Sequence, residues 1–139
     1  MSITDSPTWQ RLEARWADGF EQLHVEEQEA IALWWLEAET MNGTLDQYFW
    51  NSAGDQALIA RRGLHSLRMP VTLQAFNAAL ALFGEHYPSE RDARMQVLET
   101  LEAQHGDNLF TAPTRVIQDL PEDFVHAALD RLQVLYVTL

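Results

Sequence analysis

The sequence predicts an all-α fold, a single compact domain of about six to eight helices spanning residues 1–139. Three observations predict it. Apolar residues recur at three- and four-residue spacing in every long segment, and no run alternates apolar with polar residues as a half-buried strand does. Proline, glycine and Asn-Gly punctuation falls between the periodic segments. With 47% hydrophobic and 22% charged residues, the chain can bury enough apolar surface to offset its conformational entropy. There is no internal repeat, low-complexity stretch or linker, so a single core is expected.

The first helix is expected from about Pro7 to Gly19, with Trp9, Leu12, Trp16 and then Phe20 on one face. The second, about His24 to Met41, carries Glu26, Glu27 and Glu29 near its start, which suits the positive end of the helix dipole. From Ala30 to Leu36 it is apolar on every side, as in a helix surrounded by its neighbours, and Asn42-Gly43 ends it. A short helix around Leu45–Trp50 and the turn Asn51–Asp55 follow. Another helix starts near Asp55, carries Leu58, Ile59, Leu64 and Leu67, and stops before Pro70. Thr72 reads as the N-cap of the next helix, which bears Leu73, Phe76, Leu80 and Phe83 and ends before Pro88. Ser89 to Asp92 resembles a capping box that opens a helix closing at Gly106. Asp107 to Leu120 is the least regular stretch, and a last helix is expected from about Pro121, with Phe124, Val125, Ala128, Leu132 and Leu135 inward.

The absence of cysteine excludes disulfides, thiolate catalysis and zinc ribbons. No run is apolar for long enough to cross a bilayer, and the opening MSITDSPTWQRLEARW lacks the basic and apolar regions of a signal peptide, so a cytoplasmic protein without membrane contact is expected. Twenty-one acidic residues against nine arginines and no lysine give a net charge of −12, which sets the chain against direct binding of nucleic acid. The charge is uneven. Glu13–Asp46 holds nine acids and one arginine, and Glu99–Leu139 seven acids and two arginines, whereas Gln47–Leu98 holds four acids and five arginines.

The five histidines include no pair at three- or four-residue spacing, and there is no HExxH, so neither a metal nor a cofactor is expected. Glu37, Glu39, Asp46 and Asp55 flank an aromatic turn. Buried, such carboxylates could serve acid–base chemistry in a small hydrolase or ligand-binding domain using Glu37, Glu39 and Asp46. The plainer expectation is that they cap the 42–55 turns or bond the indoles of Trp34, Trp35 and Trp50. No nucleophile elbow or phosphate loop accompanies them, and the chain is read as a non-enzyme. Trp34 or Trp35, with Phe49 and Trp50, is expected to be mostly buried, and Asn51 and Asp55 to bond backbone groups of the 51–55 turn.

The segment from Glu39 to Asp55, ETMNGTLDQYFWNSAGD, resembles the signature of a bacterial domain family whose namesake is a nineteen-kilodalton DNA-mimic protein and most of whose members are domains without an assigned role. That signature runs roughly E, NGGF, QFF or QYF, NSSGD. The matching positions are Glu39, Asn42, Gly43, Gln47, Tyr48, Phe49, Asn51, Ser52, Gly54 and Asp55, while Thr44 and Leu45 stand where the second Gly and the Phe are expected. The similarity continues more loosely to about Leu139. The resemblance implies an acidic, helical homodimer that occupies the DNA site of a basic regulator or nucleoid protein. The motif itself, built of turn formers and aromatics, reads as structural.

The carboxylates that suit such a surface are Asp18, Glu21, Glu26, Glu27 and Glu29, on or beside the first two helices and expected in solvent. A compact chain of this size is about 37 Å across, and DNA of that length carries about 22 phosphates, so a monomer must turn its charge one way or a dimer must pool it. The arginines of the middle segment (Arg61, Arg62, Arg68, Arg91 and Arg94) would then lie near the dimer axis or pair with acids of their own chain. The same electrostatics would serve an immunity or antitoxin-like protein that neutralises a basic toxin.

Overall fold

A computed structural model describes residues 2–139. Eight α-helices and no strand occur among the described residues, as the periodicity predicts. The first, α1 (Pro7–Trp16), opens with proline at its first position and with the Ser6 side chain accepting the Trp9 N–H, so a donor the helix cannot satisfy finds a partner. Gly19, at φ +125°, turns the chain after it.

α2 (Val25–Asn42) is the axis of the molecule. Ala30, Ile31, Ala32, Leu33 and Leu36 are fully or almost fully buried, because the helix is covered by α4 (Ala57–Ser66) and α8 (Phe124–Thr138), with α3 (Leu45–Trp50) and α7 (Thr111–Gln118) against its second half. Gly63 lets α4 approach, since a Cβ there would lie 3.0 Å from Leu33 and 3.2 Å from Glu29. α5 (Pro70–Ala81) packs on α4 and α7, while α6 (Arg91–His105) touches the rest mainly through α3 and the 3-10 turn Ser52–Gln56. α6 buries only Arg94 and Leu98.

Several boundaries differ from those read in the sequence. α5 begins at Pro70, not after Thr72, because proline is already suited to the first helical position. Thr72 is buried within the first turn, where its backbone N–H donates to Glu122 at 2.8 Å, and α5 ends at Ala81, before Pro88 as expected but short of Phe83. Ser89 and Asp92 form no capping box: Glu90 is the N-cap, without a side-chain bond. The last helix starts at Phe124 with Asp123 accepting the His126 N–H, and the stretch read as irregular contains α7.

The tryptophans divide. Trp9 is buried and packs at a tilt against half-buried Trp34, ring centroids 5.1 Å apart, with Trp35 edge-on to Trp34 at 4.9 Å. Trp50, expected inside, is exposed: Tyr48 and Phe49 take the inner positions of the six-residue α3, and the next residue falls on its outer side. Among the described residues no helix is long and apolar enough to cross a membrane.

Candidate functional site

The motif segment is held by two side chains that satisfy its loose ends. Thr44 caps α3 by accepting the Gln47 N–H at 3.4 Å, and Glu39, near the end of α2, accepts from Gln47 Nε2 at 2.7 Å and from Asn51 Nδ2 at 3.1 Å. Glu39 thus ties the end of α2 to both ends of α3. From the other side, Gln118 Nε2 donates to the carbonyls of Thr40 and Gly43, and Thr114 Oγ1 accepts the Leu45 N–H. Tyr48 and Phe49 are fully buried, with Phe49 among the rings of Phe76, Phe83, Tyr87 and Phe110.

Arg94 completes the arrangement. It is fully buried, and Nε donates to Phe49 O at 2.5 Å, Nη1 to the carbonyls of Pro88 and Ser89, and Nη2 to Asn51 O at 2.8 Å and Asp55 Oδ1 at 2.9 Å. A guanidinium has five N–H donors, and all five are used. Tyr87 adds its hydroxyl to Gly54 O at 2.6 Å, and Arg91 Nε bonds Trp50 O. Gly54 is required by this crowding: a Cβ there would lie 2.9 Å from both Tyr48 O and Arg94 Nε. Asn51 and Asp55, expected to bond the backbone of their own turn, instead reach Glu39 and Arg94 with their side chains, and the turn's carbonyls are met by Arg94 and Tyr87. No local spacing signals Arg94; only its place across the fold from the motif does.

The acidic set on the first two helices is split. Asp18 and Glu21 are exposed and Glu26 is half-buried, but Glu27 and Glu29, expected in solvent, are buried. Glu27 takes two bonds from Arg15 at 2.6 and 2.9 Å, one from the Tyr136 hydroxyl at 2.7 Å and one from the His24 N–H at 3.0 Å. Burial by itself raises its pKa, yet these four donors to the charged form outweigh it and hold the group at about 2. Glu29 is likewise ionised below the usual range: burial opposes this, and Arg62 at 2.6 Å, Arg131 at 2.8 Å and Ser66 at 2.9 Å overcome it. The reason for the correction is helical register. Glu27 faces α1 and α8, and Glu29 faces α4 and α8, both on sides of α2 that are covered. The arginines of the middle segment divide accordingly: Arg62 and Arg94 pair with acids of their own chain, while Arg61 and Arg68 have no such partner among the described residues.

What remains is a surface with a large excess of carboxylates. Of 21 acids, only Glu27, Glu29 and Asp55 pair with arginine, and those three engage four of the nine arginines, which leaves eighteen carboxylates facing five arginines among the described residues. Glu37, Glu39 and Asp46 differ in their surroundings. Glu39 is spent on Gln47 and Asn51, Asp46 lies half-buried in the first turn of α3, and Glu37 lies half-buried on α2. Burial, then nearby Asp123, raises the pKa of Glu37, with His126 opposing.

No curated protein and no solved structure matches the chain. The Arg94-pinned motif and the helices packed around it, from α2 into the last turn of α8, lie within residues 21–137, the segment that matches the DMP19-like protein family, and the chain belongs to that family.

Proposed function

We propose that this protein is an acidic decoy that, as a homodimer in the cytoplasm, occupies the DNA-reading surface of a basic regulator or nucleoid protein, and that it works by binding rather than by catalysis. The observation that carries the reading is the surplus of eighteen carboxylates without an arginine partner among the described residues, set on a helical frame whose family is DMP19-like. Carboxylates fixed on helices present negative charge to a basic groove as phosphates do, and complementary fields speed encounter before contact. The contact surface begins with Asp18, Glu21 and Glu26, because Glu27 and Glu29 are already neutralised by arginines inside the molecule. The family signature takes no part in contact and builds the frame. Glu39 supports binding over catalysis, since both of its bonds are to the motif's own side chains.

The test is capture from a host lysate at low salt, identification of the protein that elutes as salt rises, and kinetics of that protein against wild type and the variant Asp18→Lys/Glu21→Lys/Glu26→Lys. The partner is expected to be basic and to release its DNA on binding. Its affinity should fall with salt less steeply than its affinity for DNA, because the decoy carries no condensed counterion atmosphere to release. The variant should remain folded and lose association rate by about tenfold or more. An unchanged association rate and salt dependence would remove this face from the proposal.

A further inference from the structure

Between α4 and α5 lies an open groove of about 940 Å³, whose lining gathers two arginines and two histidines on an otherwise acidic chain. α4 contributes Leu58, Arg61, Arg62 and His65, positions three and four apart that share one face, and His86 stands beyond the end of α5. Beside these two arginines and two histidines the lining holds one carboxylate, Glu85. The side chains of Arg61, His65 and His86 make no hydrogen bond or ion pair among the described residues, and Arg62 spends only its Nε, on Glu29, leaving its two terminal nitrogens unpaired there. Leu58, Leu73 and Leu80 form an apolar wall beside them. Unused donors beside an apolar wall, in a volume near the upper end of the ~300–1,000 Å³ usual for small-ligand sites, are the ingredients of recognition of an amphipathic anion.

We propose that this groove binds a small organic anion, its carboxylate or phosphate head on Arg61, Arg62 and the two histidines and its apolar body along Leu58, Leu73 and Leu80. The proposal does not rest on the decoy reading. The whole molecule, at −12, repels anions at long range, so the ligand is held by contact with the unused arginine donors rather than by steering.

The probe is decanoate, titrated into the full chain and followed by amide chemical shifts, with decanol as the neutral counterpart. Saturable one-to-one binding of decanoate is expected, with shifts confined to residues 58–65 and 73–87, and decanol should bind at least about tenfold more weakly. In Arg61→Gln/His65→Gln/His86→Gln the decanoate affinity should fall by about tenfold or more while that of decanol stays unchanged. These three residues are exposed and unpartnered, so the variant should fold; if it does not, Arg61→Gln alone must show a loss of the same sign. Equal binding of decanoate and decanol, shifts outside the groove, no saturation, or an unmoved affinity in the folded variant would each overturn the proposal. So would a change of oligomeric state in the variant without decanoate binding by wild type, since the groove would then be an interface between copies.

Discussion

Arg94 shows how one residue can fix a motif it does not belong to. All five of its donors end on oxygens, four of them backbone carbonyls at Phe49, Asn51, Pro88 and Ser89. Arg94→Met strands those carbonyls and should cost about 3 kcal/mol or more, read as a lowered urea midpoint. Arg94→Lys should recover only part of this, because an ammonium offers three donors from one point and cannot span the same fan of oxygens. Glu27 gives a prediction of a different kind. Its folded pKa of about 2 lies below the ordinary 4.5, so the native state holds the charged form more tightly than the unfolded chain does. The stability it contributes is fully present above about pH 5 and is lost as pH falls through about 4 toward 2. Glu27→Gln removes that term, so the midpoint gap between wild type and variant should be widest near neutral pH and shrink in acid.

At the scale of elements, the sharpest constraint is the crossing of the 51–55 turn beneath α6. The two approach closely because Gly54 has no side chain, and Arg94 fills the space a Cβ would need. Gly54→Ala should therefore cost about 1–3 kcal/mol by overpacking. The loss should appear as weakened amide protection in α6, which buries little else, before it appears in α2. The burial of α2 was legible from Ala30 to Leu36, where no face is polar, but its covering helices were not. Thr72 illustrates the limit: as an N-cap it satisfies local rules, yet the helix starts at Pro70, and Glu122, fifty residues away, takes the amide that a cap would have served.

For the molecule as a whole, the balance of charge opposes folding as much as it prepares binding. The eighteen carboxylates without an arginine partner among the described residues, on a chain of net −12, repel one another in the folded state more than in the extended one. Raising salt from about 20 to about 200 mM shortens the screening length from roughly 20 Å to roughly 7 Å, so Tm should rise. The buried bonds of Glu27 and Glu29 are screened far less and should not reverse the sign. A Tm that fell with salt would mean that surface ion pairs, not repulsion, dominate the net electrostatics.

The sequence by itself determined the helical fold, the position of the turn motif and the excess of negative charge, because period, turn chemistry and composition are properties of near neighbours or of simple sums. It also carried the resemblance in residues 39–55 that the family match over residues 21–137 bears out. Only the tertiary structure decided which charges are surface and which are frame. Glu26, Glu27 and Glu29 look alike in a list, but they point in different directions around α2. Glu27 meets Tyr136 across 109 residues of chain and Glu29 meets Arg131 across 102. Such partners are set by which helices pack together, and a four-residue span of sequence holds no record of that.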